Sequence, residues 1–445
     1  MTDRRFEDRA ETAFEDYKLP LAAAQAVAEA NRCLFCADAP CIQACPTAID
    51  IPQFIRKIGT GNIRGSARTI FESNILGLSC ARVCPVEVLC VGSCVYNHMD
   101  MPPIAIGQLQ RYSTDIAYEK GWRFFEAGPD TGKSVGIIGG GPAGLAAAHE
   151  LRRLGHGCTI YETRPSLGGL NVTGVAPYKM RADAALSEVE WVLGIGGIEV
   201  RTSTAVGEHV SLAELEKTHD AVFVGVGLGA DSALGVPGEG LEGVCGAVEW
   251  IERFKTGRVP LDGVRRCVIV GGGNTAIDAA REAKGFGIES VTMVYRGAEA
   301  SMSGYAHEWH AAKGDGVSAA WRSLPVAFEG DARVSRVRCV RLDEHKRPVA
   351  GSEFIVEADL VLVAIGQSKL GQMLRGMEGM KLERGRLVTD ADGFTGRKGW
   401  FAGGDCANGG KEVVNAAAEG KAAARAIDAW LDGGSISGGA GRKHA

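Results

Sequence analysis

The chain has 445 residues, 45% of them hydrophobic and 23% charged, enough apolar mass for more than one core, so a single small domain is excluded and two to four are expected. Its 54 acidic and 49 basic residues leave a net charge of -5 with no long run of either sign, which offers nothing to draw nucleic acid or a membrane surface. No apolar stretch is long enough to cross a bilayer, and the charged start, Met1 to Pro20, lacks the apolar core of a signal peptide, so a cytoplasmic protein is expected.

Residues 1–130 carry helical patterns, including Leu21 to Ala30 and Ile104 to Tyr118, and eight of the thirteen cysteines. In a reducing compartment such cysteines are metal ligands or buried thiols rather than disulfides. Cys33-x2-Cys36-x4-Cys41-x3-Cys45-Pro46 sets four thiols within about a dozen residues, and Cys80-x3-Cys84-Pro85 with Cys90-x3-Cys94 adds four more. A ferredoxin run ends in C-x3-C-P and sends its last cysteine to the other cluster, so Cys45 is expected to cross over and two 4Fe-4S clusters to result. Zinc would show two separated C-x2-C hooks, and one is present. The remaining cysteines, Cys158, Cys245, Cys267, Cys339 and Cys406, stand singly and read as core packing.

After a linker at 127–132, the run Ser134 to Ile138 meets Gly139-Gly140-Gly141-Pro142-Ala143-Gly144, and a helical pattern follows over Leu145 to Leu154. Gly139, Gly141 and Gly144 satisfy G-x-G-x-x-G, in which glycines allow the tight turn, the approach of backbone to a pyrophosphate and close helix packing. Glu162, at the end of the strand Cys158 to Tyr161, is suited to ribose hydroxyls. The same order recurs from Cys267 to Val270 through Gly271-Gly272-Gly273-Asn274-Thr275-Ala276 to a helix over Ile277 to Lys284, with later strands at Val222 to Gly229 and Leu360 to Gln367. Gly271, Gly273, Asn274 and Thr275 are the expected second dinucleotide loop, Ala276 being a tolerated variant of the third glycine. After the strand Val291 to Tyr295, Arg296 stands where an acid would mark a free 2'-hydroxyl; a single arginine is a thin sign of phosphate recognition, so NAD(H) or NADP(H) is expected. His307 and His310 lack the neighbours of a metal site and read as surface residues.

Near the end, Gly399-Trp400-Phe401-Ala402-Gly403-Gly404-Asp405, followed by a helix starting Val413-Val414-Asn415, resembles the segment with which two-dinucleotide flavoproteins of the glutathione-reductase type complete their FAD domain. That likeness implies an α/β fold of two Rossmann-like domains behind the helical iron-sulfur head, with Asp405 at the ribityl chain and Asn415 at the flavin. The cysteine pair that family often sets beside the flavin is absent, so no dithiol chemistry is expected. The boundaries expected are 1–130 for the cluster domain, 131–240 with 366–432 for a split FAD domain, 241–365 for the NAD(P) domain and 433–445 for a disordered Gly/Ser-rich tail.

The head, through Ala37-Asp38-Ala39-Pro40-Cys41, Cys45-Pro46-Thr47-Ala48-Ile49-Asp50-Ile51-Pro52 and Gly92-Ser93-Cys94, resembles the amino-terminal part of dihydropyrimidine dehydrogenase and also the glutamate synthase small subunit. Gly168-Gly169-Leu170-Asn171 and Ala176-Pro177-Tyr178-Lys179 are closer to the first branch, which implies cofactor contacts at Gly169 and Leu170. The same resemblance implies one cluster on Cys33, Cys36, Cys41 and Cys94 and another on Cys45, Cys84, Cys90 and Gln110, with Cys80 spare; from the residues alone, eight cysteines could equally fill two all-cysteine sites. A nicotinamide delivers two electrons as a hydride and a cluster accepts one, so a flavin must stand between them. The implied protein is an NAD(P)H-oxidising electron-input subunit feeding a separate FMN- and iron-sulfur-containing catalytic subunit that interconverts uracil or thymine with the 5,6-dihydro forms. A glutamate synthase small subunit, a stand-alone NAD(P)H-ferredoxin oxidoreductase and a zinc-stabilised docking module are the competing readings.

Overall fold

The computed structural model describes residues 10–257, 261–368 and 379–433. In chain order the helical start comprises α1 (Ala23–Asn31), α2 (Pro40–Gln43), α3 (Ile51–Gly59), α4 (Ile63–Ser73), α5 (Gly77–Val83) and α6 (Ile106–Glu119). There follow β1 (Ser134–Ile138), α7 (Pro142–Arg153), β2 (Gly157–Tyr161), α8 (Leu170–Thr173), α9 (Ala182–Leu193), β3 (Ile198–Arg201), α10 (Leu212–Thr218) and β4 (Ala221–Val224). A second series runs β5 (Val244–Gly246), α11 (Ala247–Thr256), β6 (Arg266–Val270), α12 (Asn274–Gly285), β7 (Ser290–Tyr295), α13 (Ala306–Gly314), β8 (Ser318–Trp321), β9 (Ser323–Gly330), β10 (Val334–Arg341), β11 (Phe354–Glu357) and β12 (Leu360–Val363). The last described elements are β13 (Leu382–Glu383), β14 (Arg386–Leu387), β15 (Trp400–Ala402), α14 (Asp405–Asn408) and α15 (Val413–Leu431). The tail expected over 433–445 lies, but for Gly433, outside the described residues.

The described chain divides into two compact units. The larger holds residues 16–172, 182–228 and 379–433; the smaller holds 10–15, 173–181, 229–257 and 261–368.

In the larger unit a five-stranded parallel sheet has the order β15-β4-β1-β2-β3. Four residues of β1 and all of β4 are buried, as expected of parallel strands covered on both faces. α7 begins at Pro142, three residues earlier than the apolar pattern indicated, because proline at the first helical positions lacks only an N–H that would have no partner there. α15 crosses α7 closely: a Cβ on Gly420 would fall 2.2 Å from the Ala143 carbonyl oxygen. The helical start shares this core. Phe71 of α4 packs tilted against Trp191 of α9 and Tyr118 of α6 stacks on it, ring centroids 5.1 and 4.6 Å away, beside the cluster that includes Phe71, Val135, Ile137 and Phe223. A separate cluster forms around α3, which buries Ile51, Phe54, Ile55 and Ile58, an i, i+3, i+4, i+7 stripe, and is capped by Asp50, whose carboxylate accepts from Gln53 N at 3.1 Å.

In the smaller unit a second five-stranded parallel sheet has the order β5-β12-β6-β7-β8. β4-β1-β2-β3 and β12-β6-β7-β8 are thus the same arrangement used twice, and only the edge strand differs: β15 is added from late in the chain, β5 from just before its own copy. A three-stranded antiparallel sheet, β11-β10-β9, completes the unit. It lies outside the strand-turn-helix pattern of the sequence, although Val334, Val337 and Cys339 line its buried face between exposed arginines and serine.

Candidate functional site

The eight cysteines of the head separate into two groups. Cys33 follows α1, Cys41 lies in α2, and both line one pocket with Cys36 and Cys94; Ile51, Ile55, Ile104 and Ile106 form its apolar wall. The Cys-x2-Cys loop turns at Phe35, whose φ is +51°, under the Arg56 guanidinium 4.7 Å from the ring centroid. Burial, with Cys33 and Cys94 close by, pushes the Cys41 thiol up to about 11. Ligation of a metal by these thiols would displace the protons that burial otherwise holds on them.

The second group brings Cys45 together with Cys80, Cys84 and Cys90, packed with Val86, Leu89, Val91, Val413 and Val414. The Cys84 thiol is raised first by its hydrogen bond with Cys80 and then by burial, and Cys90 by burial, with Cys84 and Cys45 beside it. Cys80 Sγ also accepts a hydrogen bond from Asn74 Nδ2 at 3.1 Å. Gln110 is buried on α6; its Nε2 donates to Gly77 O at 2.8 Å, at the start of α5, and its carbonyl oxygen accepts no hydrogen bond among the described residues. Among the described residues no three His, Cys, Asp or Glu side chains converge on a single-ion point. A cubane cluster needs a wider arrangement, because each of its four ligands binds a different iron, and two sulfur-rich groups set among apolar side chains fit that donor chemistry.

At the first glycine loop, a Cβ on Gly144 would fall 2.0 Å from Gly139 O, and one on Gly139 2.5 Å from Gly225 O; at the second, one on Gly271 would fall 2.2 Å from Ala364 O. Protein backbone therefore demands those three glycines. Gly141 and Gly273 differ: a Cβ at 141 meets nothing nearer than Gly169 Cα at 3.8 Å, and one at 273 nothing nearer than Ser303 Oγ at 3.6 Å. Each is the N-cap of its helix, α7 or α12, with no side-chain cap, so helix N–H groups face a space that packing leaves open, which fits a diphosphate.

Glu162 holds the first loop in place: its carboxylate accepts from Gly140 N at 2.8 Å and from Arg164 N at 2.9 Å. The loop is closed from the other side by Gly168 N, which donates to Gly140 O at 2.8 Å, so Gly169, at φ +53°, lies against Gly141, and Leu170 starts α8. Asp405 starts α14 in the same unit; burial raises its carboxyl above the ordinary aspartate range, and Lys411 N donates to it at 3.2 Å. Asn415, in the first turn of α15, accepts from Glu412 N at 3.3 Å. Glu419, which the sequence reading missed, ties the two segments by accepting from Gly404 N at 2.7 Å and Asn408 Nδ2 at 3.0 Å.

In the smaller unit Asn274 Oδ1 accepts from Tyr305 N at 2.9 Å, which holds the loop before α13 against the start of α12, and Thr275 follows in the helix's first turn. The Tyr295 ring packs where a Cβ on Gly272 would lie. Arg296 is exposed at the end of β7 and makes no ion pair among the described residues. Also missed was a buried network in this unit, Tyr178 and Lys179 with Asp278 and Glu308; its only sequence signal was the Ala176-Pro177-Tyr178-Lys179 segment. None of the described helices is long and apolar enough to cross a membrane.

Comparison with known proteins matches residues 9–122 to the family described as dihydropyrimidine dehydrogenase domain II, 4Fe-4S cluster, and residues 133–420 to the pyridine nucleotide-disulphide oxidoreductases. The chain is 35% identical to the glutamate synthase [NADPH] small chain of Escherichia coli K12, over 93% of each chain. It is 36% identical to the NAD-dependent dihydropyrimidine dehydrogenase subunit PreT of the same organism, over 92% of this chain and 95% of that one. Among solved structures, FprA of Mycobacterium tuberculosis in complex with NADPH superposes with a TM-score of 0.54 at 19% identity, covering 68% of this chain and 87% of that one, a likeness of fold.

Proposed function

The chain belongs to the pyridine nucleotide-disulphide oxidoreductase family, as an NAD(P)H-dependent flavoprotein with a 4Fe-4S head, and from that premise we propose that it is the electron-input subunit of a two-component dihydropyrimidine dehydrogenase, feeding an FMN-containing partner that interconverts uracil or thymine and their 5,6-dihydro forms. Bound FAD would supply the conversion of a nicotinamide hydride into two single-electron transfers to the clusters, with one proton released. The residues of this chain bind and orient. Gly139, Gly141 and Gly144 with the start of α7 would hold the FAD diphosphate, Glu162 its ribose, and Gly169, Leu170, Asp405 and Asn415 the flavin end. Gly271, Gly273, Asn274, Thr275 and Arg296 would hold the nicotinamide dinucleotide. Cys33, Cys36, Cys41 and Cys94 would carry one cluster, and Cys45, Cys84, Cys90 and Gln110 the other. The domain division taken with this reading is 1–130, 131–240 with 366–432, and 241–365.

The observation that carries the electron route is the packing of Val413 and Val414 against the second thiol group. These residues open α15 and immediately precede Asn415, so the flavin end and the second cluster share one wall, and Cys45 and Cys90 of the second group pack against the same core as Cys33 and Cys41 of the first. That supports passage from flavin to the second cluster, then to the first, then to the partner. The test is anaerobic mixing of the chain with NADH or NADPH, then with uracil, following flavin and cluster bleaching. Bleaching without uracil turnover until an FMN-containing subunit is added is expected; uracil reduction by the chain alone, or the absence of flavin and iron, would overturn the reading. The equal likeness to a glutamate synthase small chain supports a second reading, which a co-purifying amidotransferase subunit would favour.

A further inference from the structure

Glu188 of α9 is 1% exposed, a carboxylate carried into the interior of the larger unit. Its Oε1 accepts from the backbone N–H groups of Leu78 at 3.0 Å and Ser79 at 3.1 Å, and its Oε2 is hydrogen-bonded to Ser79 Oγ. Ser79 Oγ in turn accepts from Asn171 Nδ2 at 3.1 Å. Two features meet at this point. Leu78 and Ser79 lie in α5, the helix that carries Cys80 and ends at Cys84. Asn171 ends the segment Gly168-Gly169-Leu170-Asn171, which is fastened to the first glycine loop through Gly168 N and Gly140 O. Opposite, Gln110 Nε2 grips the first carbonyl of the same helix. A helix start of this kind is ordinarily capped by a Ser, Thr, Asp or Asn a few residues away. Here the acceptor comes from a residue 109 positions along the chain and brings a buried charge, which costs more than a local neutral cap. Arg82, whose guanidinium pairs with Asp115 at 2.7 Å, offsets it only in part, and Tyr118 is buried nearby.

We propose that Glu188 is a positioning residue for the electron-transfer step between flavin and the second cluster: through Ser79 it holds α5 in register with Asn171 of the flavin-side segment, and its charge lowers the reduction potential of the cluster that α5 helps to carry. The inference rests on the function proposed above. A negative charge in a low-dielectric interior disfavours adding an electron to a neighbouring centre, and hydrogen bonding and net charge around a cluster are the levers a protein has on its potential. The reaction itself is unchanged: each electron leaving the reduced flavin reduces one cluster, and the flavin's proton goes to solvent.

The test is potentiometric titration of the loaded full chain at pH 8, each cluster followed by its paramagnetic signal, with stopped-flow reduction by NADH in parallel. Glu188→Gln keeps the shape and removes the charge. The potential of the second cluster is expected to rise by a tenfold or larger change in its reduced-to-oxidised ratio, about 59 mV for one electron, while the hydride step, read as the first phase of flavin bleaching, keeps its rate. Ser79→Ala keeps the charge and removes the link to Asn171; it is expected to slow cluster bleaching at least threefold with a smaller change in potential. Should Glu188→Gln load iron poorly, Ser79→Ala decides the matter. Loaded variants with wild-type potential and wild-type cluster bleaching would overturn this inference alone, whereas a wild-type chain without iron would overturn it together with the parent reading.

Discussion

Lys179 Nζ stands 2.8 Å from Asp278 Oδ1, which pins the segment Ala176-Pro177-Tyr178-Lys179 to α12, the helix that opens at the second glycine loop. The same ammonium is 2.7 Å from Glu308 Oε1, and Tyr178 Oη donates to Asp278 Oδ1 at 2.5 Å. Burial works against the charge of Lys179, but the two carboxylates overcome it and hold the lysine above its ordinary range. Replacing Lys179 by Met leaves two buried carboxylates without their shared cation, so a loss of about 3–5 kcal/mol is expected. A fall in the unfolding midpoint of the full chain measures it; an unchanged midpoint would show that the network contributes nothing net.

The two kinds of glycine separate folding from binding. Gly144→Ala puts a methyl into the Gly139 carbonyl and is expected to yield little folded protein. Gly141→Ala meets nothing closer than 3.8 Å, so the chain is expected to fold with a near-wild-type midpoint but to purify with a lower flavin-to-protein ratio. Gly273→Ala is expected to leave flavin content intact and raise KM for NAD(P)H. Equal flavin content in Gly141→Ala and wild type would contradict the assignment of that space to the diphosphate.

Gln110 and Cys80 give opposite expectations. On the proposed ligand set, Gln110→Ala is expected to lose the second cluster, halving bound iron, while Cys80→Ser is expected to retain both clusters with an altered signal, since Cys80 hydrogen-bonds with Cys84. Iron analysis with the paramagnetic signals distinguishes this from an all-cysteine site, for which the two outcomes would be exchanged.

Arg296, exposed at the end of β7, is free to meet a 2'-phosphate. Arg296→Ala is expected to weaken NADPH use about tenfold relative to NADH, read as the ratio of kcat/KM values. A variant that treats the two dinucleotides as the wild type does would remove the arginine from the binding residues.

Glu188 also has a signature in stability. Burial raises its carboxyl from an ordinary 4.5 to about 7 despite the hydrogen bonds from Ser79 and Leu78. The unfolded chain therefore releases this proton before the folded chain does, and stability falls as pH rises from about 4.5 to about 7, by roughly 3 kcal/mol in all, and is level above. Midpoints of wild type and Glu188→Gln at pH 6 and pH 8 check the sign: the variant is expected to lose less on going to pH 8.

What the sequence determined by itself was local. Glycines two and three residues apart between an apolar run and a helix can serve few backbones other than a strand, tight turn and helix, and cysteines three to five residues apart converge because the chain between them is too short to do otherwise. Tertiary structure decided the rest. It brought Cys94 to Cys33, Cys36 and Cys41, and Cys45 to Cys80, Cys84 and Cys90, because the packing of helices around the α3 stripe, and not spacing, sets which distant loops meet. It also delivered Glu188 to α5 and Lys179 to α12. In the sequence Glu188 is one charge among several on a helix and Lys179 one charge in a turn, and only the fold shows which charges lose their water and must find a partner inside.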